Sequence, residues 1–281
     1  MKGKTVLVTG SSSGIGFETA KALAQQGAEV ILAARSEDKL KEAVAAIKAA
    51  TGNDNLKYYT ADFSSQKSVR ELAAKVKKDY TKLDVLVNNA GGVFPEFKTT
   101  EDGLEMTIAT NHFAYFLLTN LLLDLLKKAD SARIVSVASG SHYQGKIDFE
   151  SFRKDKGYFI MKAYAQSKLA NVLFTAELAE RLNGTRITAN CLHPGFVKTD
   201  IGNKGTQWYA KFFWTLASRI GAISVQDGAK TSIYLASSSL VNGVTGKYFD
   251  KCKAKEEAPL AKDHELQKET WKVSEQLCPI N

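Results

Sequence analysis

Residues 4–18, KTVLVTGSSSGIGFE, decide the fold. The run Thr5 to Thr9 is short, apolar and β-branched without alternation, the pattern of a strand buried on both faces. It leads directly into TGSSSGIG, Thr9 to Gly16, and a helix opens inside that turn. Glycines at Gly10, Gly14 and Gly16 allow a tight turn, backbone approach to a pyrophosphate, and close packing of helix on strand. The helix N-terminus adds free N–H groups and the positive end of its dipole. A strand-to-helix turn with no ligand can look the same. Its position after the first strand, opening a βαβ unit, favours dinucleotide binding, with Gly10, Ser12, Ser13, Gly14, Ile15 and Gly16 as candidate contacts.

Similar runs recur along the chain as AEVILAA, LKYYTAD, LDVLVNNAG, ARIVSVAS and RITANCLHPG, each closed by Gly, Asn, Ser or Asp. Segments of helical period lie between and after them: Gly14 to Gln26, Glu37 to Ala50, Ser65 to Asp79, Gly103 to Lys128, Tyr164 to Leu182 and Gln226 to Ser237. With a last strand at Gly246 to Asp250, this order predicts an α/β, Rossmann-type doubly wound fold. Its sheet should be mostly parallel and seven-stranded, with helices on both faces. No repeat or proline-rich linker divides the 281 residues, so residues 1–281 are expected to form one domain. Two stretches depart from the pattern, Gly140 to Lys162 and the aromatic-rich 198–224. The tail 251–281 could pack on the domain or bind a membrane.

Composition narrows the function classes. A hydrophobic fraction of 44% with 24% charged residues excludes a disordered chain. The net charge of +8 comes from scattered lysines without an arginine stripe, so nucleic-acid binding is not expected. Cys191, Cys252 and Cys278 are too few and too far apart for a zinc site or a disulfide framework. No metal is expected. The start MKGKTVLVTG lacks the apolar segment that secretion requires, and FAYFLLTNLLLDLL, interrupted by Asn120 and Asp124, is too short to span a bilayer. A cytoplasmic protein, at most peripheral to a membrane, is the expectation.

After the second strand, where an NAD-binding protein of this kind places an acidic residue for the ribose 2′-hydroxyl, stand Ala34 and Arg35. A guanidinium there can pair with a 2′-phosphate, which favours NADP(H) while leaving NAD(H) open. Otherwise Arg35 is an exposed residue ahead of a helix capped by Ser36. Reduction of a carbonyl also needs a proton donor. A Tyr serves if a Lys one turn away, at i+4 on the same helix face, stabilises its phenolate. Ten tyrosines in this lysine-rich chain predict about one YxxxK by composition, and two occur: Tyr158 with Lys162, and Tyr164 with Lys168. Tyr164 opens the apolar helix YAQSKLANVLFTAEL, which can hold the pair rigidly. Tyr158 ends the irregular KDKGYFIMK and reads as surface or pocket wall.

In their order the motifs TGSSSGIG, Asp62, NNAG at Asn88 to Gly91, Asn111, Ser139, YAQSK and HPGFVKTD resemble the short-chain dehydrogenase/reductase family over nearly the whole chain. The resemblance implies that Asp62 contacts the adenine, that Asn88 and Ala90 line the cofactor cleft, and that Pro194, Gly195, Val197 and Thr199 meet the nicotinamide side. It implies Tyr164 as general acid or base and Lys168 as its activator and ribose contact. Ser139 would hydrogen-bond the substrate oxygen, and Asn111 would support a water-linked proton path. Ser136 and Ser141 compete with Ser139, but Ser139 ends its strand at the C-terminal edge, where such sheets bind ligands.

RIVSVAS, the extension to AYAQSKLANVLFTAELAERL, VTGKYFDKC and the 25 positions from Ser139 to Tyr164 are similar to the branch that contains retinol dehydrogenases and retinal reductases. Two departures from that branch stand out: the expected absence of an N-terminal membrane anchor, and the extra glycine in NNAGGVF. The resemblance implies a small lipophilic alcohol, aldehyde or ketone, retinol and retinal first, and a homodimer or homotetramer. The alternatives are a steroid, quinone or xenobiotic carbonyl reductase, and a catalytically silent nucleotide-binding sensor or interaction module. Residues 207–220, QWYAKFFWTLASRI, could form an apolar lid, dip peripherally into a membrane, or be a core or dimer helix.

Overall fold

The computed structural model describes residues 1–197 and 223–280. The elements run β1 (Thr5–Thr9), α1 (Gly14–Gln25), β2 (Glu29–Ala34), α2 (Glu37–Thr51), β3 (Leu56–Thr60), α3 (Gln66–Asp79) and β4 (Val85–Asn88). A short α4 (Met106–Ile108), a π-helical turn (Ala109–Phe113) and α5 (Ala114–Lys127) follow, then β5 (Ala132–Val137), α6 (Ile160–Arg181) and β6 (Ile187–His193). The last described elements are α7 (Val225–Ser237), β7 (Tyr248–Asp250), β8 (Lys253–Lys255) and α8 (His264–Leu277).

The sheet order is β3-β2-β1-β4-β5-β6-β7-β8. Seven strands are parallel, as the alternation of strands and helices predicts, and an eighth pairs antiparallel with β7. It was not expected. Asp250 pairs with Lys253, so the hairpin loop is Lys251-Cys252, and both have positive φ, 50° and 61°. That is the type I′ geometry that matches strand twist, here built without the Asn-Gly that usually signals it.

Strand side chains alternate between two cores. Val6, Val8, Val30 and Leu32 pack under α1, α2 and α7, while Leu7 and Ile31 face α3, α5 and α6. This two-sided burial is why the strands read as continuous apolar runs. Ser36 and Ser65 cap α2 and α3 by accepting from Lys39 N and Ser68 N, so these starts were legible. Helix α6 begins at Ile160, four residues before the expected Tyr164, because its N-cap, Phe159, has no capping side chain to announce it.

The tail packs on the domain. Trp271 of α8 stacks on Phe174 at 5.7 Å and meets Phe116 edge-on at 5.0 Å, with the Arg181 guanidinium 4.2 Å from its ring. Helix α8 also buries Gln267, Thr270 and Ser274, and Val273 and Leu277 pack partly buried against the same core. The apolar α5 is likewise used within the chain: Phe116 and Leu117 are buried in the core that also holds Trp271. Replacing Trp271 by Ala should cost about 3–5 kcal/mol, read as a lower urea midpoint; a midpoint unchanged from wild type would mean that α8 contributes nothing to the fold.

Candidate active site

The glycine turn lies at the C-terminal end of β1. Gly10 and Gly14 have positive φ, 65° and 60°. A Cβ on Gly10 would stand 2.8 Å from Ala90 Cα, and one on Gly16 would stand 2.4 Å from the Gly10 carbonyl oxygen. These two glycines therefore pack backbone against backbone. Gly14 differs, since a Cβ there would meet nothing within 4 Å. Ser13, the N-cap of α1, makes no side-chain cap hydrogen bond, unlike Ser36 and Ser65. The first-turn N–H groups of α1 are thus left uncapped beside an open glycine, an arrangement that fits a pyrophosphate. Ser12 is half-buried, Ser13 exposed and Ile15 buried beneath them.

Asn89, for which the sequence suggested no role, ties this turn to the end of β4. Its Nδ2 donates to the carbonyls of Thr9 at 2.8 Å and Gly10 at 3.3 Å. The Asn89 and Ala90 N–H groups both donate to Thr9 Oγ1. Asn88 is fully buried; its Nδ2 donates to Thr119 Oγ1 at 2.9 Å. Arg35 is exposed at the end of β2, and the nearest carboxylate in sequence, Glu37, pairs with Lys41 at 3.0 Å. Asp62 closes a turn after β3, its Oδ1 accepting from Ser64 N at 2.9 Å and Ser64 Oγ at 2.7 Å.

Tyr164, Lys168 and Ser139 converge at the ends of α6 and β5. Lys168 is buried, its Nζ donating to the Val137 carbonyl at 3.0 Å and lying 5.6 Å from the Tyr164 ring centre. Burial pushes the Tyr164 hydroxyl up from its ordinary value, and the Ser139 hydroxyl beside it pulls it back. Burial also brings the Lys168 amine down to about 7. Ser139 Oγ accepts from Ser141 N at 3.2 Å. Its competitor Ser136 is buried in β5, one residue before the strand ends. Tyr158 is engaged elsewhere: its hydroxyl donates to the Phe94 carbonyl at 2.7 Å and lies 3.0 Å from Thr107 Oγ1, pinning the segment that follows NNAGG.

Asn111 sits in the π-helical turn, an irregularity frequent at functional sites. Its side chain grips Gly92 at both ends, Oδ1 accepting from the Gly92 N–H at 2.8 Å and Nδ2 donating to the Gly92 carbonyl at 3.0 Å. Its main-chain carbonyl accepts from Asn171 Nδ2 at 2.9 Å. Gly91 lies between Asn111 and Lys168: a Cβ there would stand 3.0 Å from Asn111 Oδ1 and 3.7 Å from Lys168 Nζ. The extra glycine run of NNAGG is thus the surface that Asn111 holds.

After β6, Pro194 and Gly195 are half-buried, and Gly195 has φ 89°. A Cβ on Gly228 of α7 would meet Val197 Cγ2 at 2.5 Å, so α7 fits against this strand end only through glycine. Thr199 and the aromatic segment 207–220 lie outside the described residues. Among the described residues no helix is long and apolar enough to cross a membrane, and no cluster of His, Cys, Asp or Glu could hold a metal ion.

A glycine-turn cleft at the strand ends, flanked by a half-buried Tyr beside a buried Lys and by a strand-end Ser, defines the class of nucleotide-dependent oxidoreductases. The chain belongs to the short-chain dehydrogenase family, which it matches over residues 4–210. It is 41% identical to human retinol dehydrogenase 13, over 99% of this chain and 85% of that protein. It is also 41% identical to mouse retinol dehydrogenase 14, over 100% of this chain and 87% of that one. Among solved structures it is similar to an uncharacterized protein from Mycobacterium paratuberculosis, with TM-score 0.80, 33% identity and coverage of 99% and 94%. A short chain dehydrogenase from Shigella flexneri complexed with NADP aligns with TM-score 0.67 and 26% identity, over 90% of this chain and 98% of that one.

The Lys168 amine gives the site a measurable pH signature. Its value falls from 10.5 to about 7 on folding. Between those values the unfolded chain binds the proton and the folded chain does not, so the contribution of Lys168 to stability rises with pH across that window. In cofactor-free protein, the urea-midpoint difference between wild type and Lys168→Met should therefore shift in favour of wild type from pH 7 to 10. A constant difference would mean that Lys168 titrates as a solvated lysine.

Proposed function

We propose that this protein is an NADP(H)-preferring oxidoreductase that interconverts a lipophilic alcohol and its aldehyde or ketone, retinol and retinal being the leading pair. The observation that carries the reading is the meeting of Tyr164, Lys168 and Ser139 beside the glycine-turn cleft. The supporting comparisons are the retinol dehydrogenases at about 40% identity over nearly the whole chain. Preference for NADP(H) is supported by Arg35, exposed and without a carboxylate partner among the described residues, and by the NADP complex of a structural relative. The 2′-phosphate would lie at Arg35, the pyrophosphate at Gly14 and the uncapped first turn of α1, and the adenine near Asp62.

The bound nicotinamide would donate a hydride to the carbonyl carbon in reduction, or accept one in oxidation. The chain supplies the rest. Ser139 holds the substrate oxygen by a hydrogen bond, and Tyr164 gives its hydroxyl proton to that oxygen as the alcohol forms. Lys168, close enough to stabilise a phenolate, lowers the cost of that transfer. Asn111 fixes Gly92 and the glycine surface beside Lys168. The same reading includes a homodimer or homotetramer, and a lid or peripheral membrane contact at residues 207–220.

Two variants test the assignment. Tyr164→Phe should lower kcat by about 10²–10⁴-fold, the usual size of a general-acid contribution, while NADPH binding by fluorescence titration stays unchanged. Undiminished turnover would remove Tyr164 from the chemistry. Arg35→Ala should weaken NADPH binding by about 10- to 100-fold and leave NADH alone, as loss of a charge-assisted contact requires; equal effects on both cofactors would overturn the 2′-phosphate reading.

A further inference from the structure

The peptide unit between Ser139 and Gly140 is held by two imidazoles. Its carbonyl, that of Ser139, accepts from His142 Nδ1 at 2.7 Å. Its N–H, that of Gly140, donates to His193 Nδ1 at 3.0 Å. His142 is fully buried against Tyr143 and Tyr248, with ring centres 4.1 and 4.6 Å away, and His193 ends β6 next to Pro194. The other nitrogen of His142, Nε2, accepts the backbone N–H of Ala258 at 3.1 Å, 116 positions further along the chain. Tyr143 adds a second tie to the same stretch by donating its hydroxyl proton to the Glu256 carbonyl.

These partners dictate the protonation of both rings. A carbonyl can only accept and a peptide N–H can only donate. His142 is therefore the neutral ring with its proton on Nδ1, and His193 is the neutral ring with its proton on Nε2. Adding a proton to either ring sets N–H against N–H and breaks the contact. Burial favours the neutral form of both. The titratable groups facing His142 are Glu257, Lys255 and His193; those facing His193 are Asp250, Lys255 and Lys251.

We propose that His142 and His193 are positioning residues for the reaction: together they clamp the Ser139–Gly140 peptide and aim Ser139 Oγ at the substrate oxygen. Neither ring reaches the reacting atoms. The inference rests on the assignment of Ser139 as the substrate-oxygen donor. The Ala258 bond to the His142 ring ties the segment after β8 to the fold and contributes to stability.

The two functions of His142 can be separated chemically. In His142→Asn the amide Nδ2 replaces Nδ1 as donor to Ser139 and the bond to Ala258 is lost. In His142→Gln, Oε1 can still accept from Ala258 while the donor to Ser139 is lost; His142→Phe loses both. With NADPH and retinal, the Gln and Phe variants should lose about tenfold in kcat, the loss expected for one misplaced hydrogen bond. The Asn variant should stay within about threefold of wild type, although its Tm falls with the others and NADPH binding is unchanged in all three. Should kcat instead follow Tm across the series, or stay at wild-type level in all, the clamp is wrong. Ser139→Ala, run alongside, separates this failure from failure of the underlying assignment, because full activity in that variant would remove Ser139 itself. Imidazole ¹⁵N NMR of the wild-type protein gives a test free of folding effects: His142 must appear as the Nδ1–H tautomer and His193 as the Nε2–H tautomer, and either ring in the opposite form overturns the proposal.

Discussion

The cleft depends on how closely the ends of β1 and β4 approach each other. There is no room for a side chain at Gly10, where a Cβ would lie 2.8 Å from Ala90 Cα, or at Gly16, where it would strike the Gly10 carbonyl and Asn89 Nδ2. Thr9 Oγ1 completes the knot by donating to the Val87 carbonyl while accepting from Asn89 and Ala90 N–H. At this point the strand order reverses, with β1 leading outward to β2 and β4 to β5. The connections diverge to opposite faces of the sheet, and a crevice opens between them at the carboxyl ends of the strands. The glycines thus have distinct duties: Gly10 and Gly16 bring the backbones together, and Gly14, in open space, leaves room for a ligand.

A second constraint runs through the interior on the other side of the sheet. Asn171 Nδ2 donates to the Asn111 carbonyl, which turns Asn171 Oδ1 toward His112 Nδ1 at 3.3 Å. His112 Nδ1 must then carry the proton, and Nε2 faces Ser274 Oγ of α8 at 2.9 Å. Burial holds this imidazole neutral, down to about 4. A buried donor or acceptor left without its partner costs about 1–3 kcal/mol, so the members of such a chain specify one another's positions. The π-helical turn that carries Asn111 is in this way anchored to the C-terminal helix, and through Gly92 to the cleft.

What was legible in the sequence and what was not divides along a physical line. The glycine turn, the parallel strands and the Ser-capped helices each impose a local pattern and are found where it places them, although β3, at the sheet edge, is not buried on both faces as its run suggests. Of the two YxxxK pairs, Tyr164 and Lys168 lie within α6, and Tyr158 is tied to Phe94 and Thr107. The residues that went unread act on distant backbone. His142 and His193 stand singly, with partners in loops and no period to betray them. The Lys251-Cys252 hairpin turn takes positive φ without glycine or asparagine. Helix α8 went unread although Trp271, Val273 and Leu277 all pack against the core.

The same burial that hides these groups also shapes the chemistry proposed for the cleft. Tyr164 and Lys168 are both pushed toward neutrality, the phenol upward and the amine down to about 7. Either charge alone is disfavoured in a site with little water. Charges of opposite sign on the two groups offset each other, because a phenolate beside an ammonium is far less costly than either ion in isolation. The Val137 carbonyl keeps the amine within reach of the ring whichever form it takes, since both amine and ammonium can donate to it. Under the proposed reaction the sheet would contribute directly: the end of β5 supplies both the carbonyl that anchors Lys168 and, two residues on, the serine beside Tyr164.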